Sequence, residues 1–350
     1  MYHIQSFIII IADKDKRLFS KFAAMPLKLT TYHHGSEIPI LPENGTFHST
    51  ELFHIYEATR GYTPMLIVAY EDEKPVAKVL AVIHKTLPFR LPFFKKCVIY
   101  GEGEYFNEHT DREVLFNLML SELTRIAIKK SFLIEFRNLD NALFGYRAFR
   151  ENHYFAINWL RVRNSLHSAR KVEERFSPSR RRQIRKGLIN GAEVRETHST
   201  EEIQSFAQML HHIYSSKIRR HFPNKDFFLY MEQQMQSSKR SRIFIVTHKN
   251  KIIGGSVCIY SGENAYLWFS GGMRKTYALQ YPGILAVWHA LIDAKQRGYR
   301  HLEFIDVGLP FRKHGYREFV LRFGGKQSST RRWFHVRWEW LNKLMNRMYE

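Results

Sequence analysis

Apolar positions fall into two rhythms that alternate along the chain and then start over. In 47–61, Leu52, Phe53 and Tyr56 share one helical face, opened by Phe47-His48-Ser49-Thr50 and closed by Gly61. Segments 65–70 and 75–84 read as strands around the acidic turn Glu71-Asp72-Glu73-Lys74. A third strand, 97–100, ends at Gly101-Glu102-Gly103. Thr110-x-x-Glu113 reads as a capping box ahead of Leu115, Leu118, Met119, Leu123 and Ile126, and strand 132–137 follows. The order is helix, strand, strand, strand, helix, strand.

The second half repeats it. Ser199-x-x-Glu202 caps a helix striped with Ile203, Phe206, Leu210 and Ile213, and Phe227, Phe228 and Met231 suggest a short second helix. Strands 243–248 and 252–260 flank the turn Lys249-Asn250-Lys251, and 265–270 is the third strand. Pro282-Gly283 starts a helix through Leu285, Trp288 and Leu291 to Gly298, and strand 301–306 completes the set. The closing segments also share letters. Glu135-Phe136 and Gly145-Tyr146-Arg147-Ala148-Phe149 correspond to Glu303-Phe304 and Gly315-Tyr316-Arg317-Glu318-Phe319, an offset of 170 positions from Gly145 to Gly315. That period is too long for a solenoid unit, so the chain reads as one architecture built twice. The expected fold class is α/β, with mixed central sheets flanked by helices in two tandem domains. The expected boundaries are a lead-in at 1–27, a first domain at 28–172, a second at 173–330 that begins with a basic connecting helix, and a terminal segment at 331–350.

Composition narrows the partners. The 350 residues carry a formal charge of +21, which favours polyanions: nucleic acid, phosphorylated substrates or an anionic membrane surface. Cys97 and Cys258 lie in apolar strand-like runs and read as buried thiols suited to a reducing cytosol. The apolar run 7–12 is too short to span a bilayer, and Met25 is an alternative start after a poorly structured lead-in. The paired histidines have no zinc-ligand spacing, and neither a P-loop nor a dinucleotide fingerprint occurs, so no metal is expected.

The charge is concentrated at 180–186, where Arg180, Arg181, Arg182, Arg185 and Lys186 crowd two helical turns. This is either a solvated connector or a phosphate site. In the second case Ile184 and Leu188 pin one face, so that Arg181 and Arg185 project together as a pair of forks. The tail at 331–350 interleaves cations with aromatics. Trp338, Leu341, Met345 and Met348 would share one helix face, with Lys343 and Asn346 opposite. Such a helix packs on the protein itself or lies at an anionic membrane surface.

Duplicated helix–strand–strand–helix–strand domains, an R-x-x-I-R-K helix at 181–186 and the terminal Phe319-x-x-x-Phe323-Gly324-Gly325 together resemble the Fem-type aminoacyltransferases, which are tandem GNAT-like proteins. The resemblance spans about 46–338. It implies two tandem GNAT-like domains and an activity that moves an acyl or aminoacyl group from an activated donor to an amine. The implied donor is aminoacyl-tRNA or acyl-CoA, with no tightly bound cofactor. The implied acceptor is an amine-bearing, phosphorylated peptidoglycan-type precursor. A coenzyme A-dependent N-acyltransferase and a non-catalytic domain binding anionic polymer or membrane are the alternatives. The implied location is cytoplasmic, either free or peripheral at the inner face of the membrane. The family's terminal motif has a charge-stabilising lysine where this chain has Val320; Lys313, Arg322 and Lys326 are candidates to replace it.

Acyl transfer to an amine needs a neutral nucleophile, a stabilised oxyanion and a proton route to the leaving group. Asp306, at the carboxyl end of a strand, would accept the amine's proton, orient the amine or merely cap the loop. Arg312 and Lys313 would hold a carboxylate or oxyanion, and Tyr316 would relay a proton. The turn 270–277 carries Arg274 and Lys275 as anion-binding candidates, at the junction where GNAT enzymes hold the coenzyme A pyrophosphate. The R-x-x-G-x-G/A spacing is absent there, which points away from coenzyme A.

Overall fold

The computed structural model describes residues 6–8, 27–85, 95–106, 111–139, 141–214 and 222–349. Most of the expected lead-in, including Met25, lies outside them. Within it, β1 (Ser6–Ile8) pairs antiparallel with β2 (Leu27–Tyr32), a strand the sequence pattern did not reveal. The first half continues with α1 (Thr50–Ala58), β3 (Tyr62–Glu71), β4 (Lys74–Lys85), β5 (Lys95–Tyr100), β6 (Glu104–Tyr105), α2 (Arg112–Lys130), β7 (Leu133–Arg137), α3 (Tyr146–Glu151) and β8 (Phe155–Ser165). The second half gives α4 (Pro178–Ile189), β9 (Glu193–Glu196), α5 (Thr200–Ile213), α6 (Lys225–Met235), β10 (Ser241–His248), β11 (Lys251–Ser261) and β12 (Asn264–Gly272). It ends with α7 (Pro282–Gln296), β13 (His301–Phe304), α8 (Gly315–Leu321), β14 (Lys326–Val336) and α9 (Glu339–Met348).

Local chemistry explains most of these boundaries. Asp72 and Glu73 (φ 48° and 63°) and Lys249 and Asn250 (φ 48° and 60°) put both halves' hairpins on left-handed two-residue turns that match strand twist. Ser199 and Ser177 cap α5 and α4, accepting from Glu202 N at 3.4 Å and Arg180 N at 3.3 Å. The expected capping residue Thr110 lies outside the described residues; Asp111 caps α2, accepting from Glu113 N at 2.8 Å.

Contacts divide the chain into two compact units, one of 1–57, 61–157 and 332–350, the other of 58–60 and 158–331. In the first, β2, β3, β4 and β5 run antiparallel, β5 and β7 parallel, and β14 pairs antiparallel with β7. In the second, β9 through β12 run antiparallel, β12 and β13 parallel, and β8 pairs antiparallel with β13. Each unit is thus completed by the strand that follows the other copy. This places the boundary at 157/158, where the sequence pattern put it at 172/173, and gives the tail to the first unit. Periodicity cannot reveal such an exchange, because it lies in pairings remote in sequence.

The exchanged strands seal the cores. Trp333 on β14 is fully buried against Phe149, rings stacked at 4.6 Å, among Met119, Phe116 and Phe136. The second core gathers Leu285, Val287, Leu302, Val320 and Phe323. The repeated Glu-Phe pair takes its meaning here. Buried Glu135 accepts from Arg332 of β14 at 2.8 Å beside its own half's Arg137 and Lys96, and buried Glu303 accepts from Arg163 of β8, so each exchanged strand adds a cation to the glutamate it meets.

Candidate active site

The two parallel strand pairs differ in a way that locates a site. In the first unit β5 and β7 stay paired from Lys96↔Leu133 to Tyr100↔Arg137, and Gly101 N then donates to Arg137 O at 2.9 Å. In the second unit the pairing of β12 with β13 stops at Tyr266↔Glu303. Beyond a bulge at Trp268, β12 stays with β11 through Ser256↔Ser270 and Gly254↔Gly272. The chain after β13 stays with β8: Leu160 N donates to Gly308 O at 3.0 Å and Trp159 Nε1 to Asp306 Oδ1 at 3.3 Å. The parallel strands therefore part at their carboxyl ends, the position where α/β sheets take ligands.

Ser270, Tyr214, Tyr316 and Asp306 gather at this parting. Tyr214, the residue after α5, donates its hydroxyl to Ser270 O at 2.8 Å, and the Tyr316 hydroxyl lies in the neighbourhood of Ser270 and Tyr214. Half-buried Tyr316 rests on Phe319, rings stacked at 6.1 Å, with Phe304 edge-on at 6.5 Å. Burial pushes its hydroxyl well above the usual tyrosine range; neighbouring Ser270 opposes this, while Tyr214, Asp306 and Cys258 add to it. Burial likewise pushes Tyr214 up to about 12. Tyr316 is thus a protonated donor at neutral pH. Asp306 is exposed, with its carboxylate steadied by Trp159. Cys258 is fully buried, with its thiol pushed up by burial, and is no nucleophile.

The loop between Asp306 and Tyr316 is braced by a residue the sequence did not single out. Arg317 donates to Leu309 O at 2.8 Å and Arg312 O at 2.6 Å. Gly308 is left-handed (φ 87°), and a Cβ there would lie 2.8 Å from the His314 ring. Arg312 and Lys313 stay exposed at the tip. The repeated Gly-Tyr-Arg was the available signal for Arg317.

On α4 the buried arginine is Arg180, 2% exposed, while Arg181 and Arg185 are both exposed. Arg180 donates to Phe319 O at 2.9 Å and Gln183 Oε1 at 3.1 Å, and its guanidinium lies over Phe319 and Phe323 at 4.6 and 4.5 Å. Burial, then neighbouring Arg322, lowers its pKa to about 10. Phe323 O accepts from Asn164 Nδ2 at 2.7 Å. Gly324 (φ 77°) presses against Arg175, where a Cβ would lie 2.3 Å from the carbonyl oxygen. The Arg-rich helix and the Phe-x-x-x-Phe-Gly-Gly motif are therefore one packing unit. Val320 is fully buried within it, so the motif offers no place for a charge there, and Arg322 is exposed beyond.

The turn after β12 leaves Arg274 and Lys275 exposed. Gly272 lies so close to α7 that a Cβ would come 2.4 Å from Gly283 N. Ile284 N and Leu285 N both donate to Tyr281 O, at 2.9 and 3.1 Å, which closes the first turn of α7 on its N-cap residue. Among the described residues no group of three His, Cys, Asp or Glu side chains could hold a metal ion, and no helix is long and apolar enough to cross a membrane.

Comparisons with known proteins bear on the fold. The family described as an acetyltransferase (GNAT) domain matches residues 178–313, the stretch from α4 through Lys313. Among solved structures the fold is similar to FemX, at TM-score 0.58 and 12% identity, covering 86% of this chain and 94% of that one. It is also similar to L-PGS from Bacillus licheniformis, at TM-score 0.51 and 13% identity over 88% and 98% of the two chains. A tandem GNAT protein from the clavulanic acid biosynthesis pathway, without AcCoA, gives TM-score 0.51 and 10% identity over 80% and 85%. At these identities the likeness establishes the fold. No curated protein matches the chain in sequence.

Proposed function

We propose, from the premise that the chain is a Fem-like tandem GNAT protein, that it is an acyltransferase moving an aminoacyl group from aminoacyl-tRNA to the amine of a phosphorylated cell-envelope precursor. The observation that carries this reading is the parting of β12 and β13 with Ser270, Tyr316 and Asp306 at its mouth. The amine nitrogen attacks the ester carbonyl carbon, forming the C–N bond; collapse of the tetrahedral oxyanion breaks the C–O bond to the ribose. An amine's ordinary pKa lies above a carboxylate's by roughly 4–6 units, so Asp306 orients the neutral amine and takes its proton only after attack has acidified the nitrogen. Tyr316, held protonated, gives its proton to the departing ribose oxygen and is recharged from solvent. Lys313 and Arg312, on the braced loop, would face the oxyanion.

Exposed Arg181 and Arg185 on α4, with Arg322, would receive the acceptor's phosphates, and Arg274 and Lys275 those of the donor. Such a role places the protein in the cytoplasm. The absence of the R-x-x-G-x-G/A spacing after Arg274 supports a tRNA donor over coenzyme A. The family match over 178–313 favours the second reading, an acyl-CoA donor to the same amine. Calorimetric titration of the full chain separates the two. Binding of a UDP-linked muropeptide, with aminoacyl transfer from charged tRNA and no coenzyme A binding, is expected. Coenzyme A binding with acetyl transfer would replace the first reading by the second, and silence from every donor and acceptor would leave a non-catalytic domain.

A further inference from the structure

The terminal helix α9 is docked the wrong way out for a helix of its composition. Its inward face is amide. Asn342, 4% exposed, accepts from Val336 N at 3.0 Å and donates to His153 O at 2.9 Å. Asn346 donates to the same carbonyl at 2.9 Å and accepts from Arg150 Nη1 at 3.3 Å. Leu341 and Met345, expected on a common face with Met348, are only half-buried. Trp340, Leu344 and Met348, at i, i+4 and i+8, form an outward stripe exposed by 66%, 47% and 66%. A contiguous apolar stripe held out by satisfied amides marks a surface that meets something apolar.

We propose that this face of α9 lies in the interface of an anionic phospholipid bilayer. Charge selects this occupant. Arg347 sits within the stripe and Lys343 beside it, and the segment's one carboxylate among the described residues, Glu339, is already met by Lys343 at 2.7 Å. The Trp338 ring packs edge-on against Phe132 at 5.0 Å, next to exposed Lys129 and Lys130 at the end of α2. Stacked Trp338 and Trp340, 6.3 Å apart, supply the amphipathic rings that settle at headgroup depth, and the cations beside them favour acidic lipid. The surface belongs to the first unit and is independent of the catalytic reading.

Flotation of the full chain with phosphatidylcholine vesicles, with and without phosphatidylglycerol, tests this. Binding to the anionic vesicles at least about tenfold tighter than to neutral ones is expected, weakening with salt, with blue-shifted tryptophan emission quenched by brominated lipid. Trp340→Ser with Leu344→Ser should lose about tenfold or more in binding while the melting temperature holds, and Lys343→Gln or Arg347→Gln should each lose about fivefold, on anionic vesicles only. Failure of the unmodified protein to float, equal binding to neutral vesicles, or a dimer that Trp340→Ser dissolves would overturn the proposal.

Discussion

Tyr316 owes its chemistry to the Phe319 and Phe304 rings that pack against it and to the burial that keeps it protonated. Tyr316→Phe removes one oxygen from a half-buried ring, so kcat should fall about 10²–10³-fold with KM within about threefold and the melting temperature unchanged, as single-turnover transfer and calorimetry would read. His48 makes a different demand. It is fully buried, with Leu80 N and Gly103 N each 3.0 Å from a ring nitrogen, and a second ring proton would leave neither amide a lone pair. Burial, then neighbouring Lys78, lowers its pKa to about 3. The unfolded chain therefore binds the extra proton first, and stability present above about pH 6.5 is lost as pH falls toward 3. Urea melts should show about 4 kcal/mol lost from this group by pH 3, and much less in His48→Gln. Residue identity was partly legible beforehand: Asp306 and Tyr316 fell at the parting of the strands. Arg180 was not singled out, because adjacent helical positions differ by about 100° and its burial depends on Phe319 and Phe323, far along the chain.

Elements were legible wherever the signal is local. Serine caps, hairpin turns and the stripes of α2, α5 and α7 can be read within a dozen letters. Strands β2 and β8 and the short α3 could not, because they are stabilised by partners remote in sequence. Helix α9 was foreseen as amphipathic but with another inner face, since Asn342 and Asn346 find their partner on His153. At α8 the departure from the family motif has a physical ground: Val320 is fully buried, with Phe319 and Phe323 on either side taken up by Arg180. Val320→Lys should therefore restore no activity. It should cost about 3 kcal/mol or more, visible as a lowered denaturation midpoint, because the ammonium would be buried without a partner.

For the whole molecule, the duplication was legible in the repeated Glu-Phe and Gly-Tyr-Arg, while the exchange of closing strands was not. Fragments 1–170 and 171–350 each carry a strand that the other requires, along with the arginine that pairs with its buried glutamate. Neither should melt cooperatively alone, and co-expression should return a soluble complex, checked by circular dichroism and co-purification. The same exchange bears on origin. A polypeptide holding a single copy could have closed its sheet only by lending its last strand to a twin and borrowing one back, a bargain that dissolves on dilution. Joining two copies end to end makes the loan internal, so the fold no longer depends on how many molecules are present, and the sequences of the halves are free to diverge.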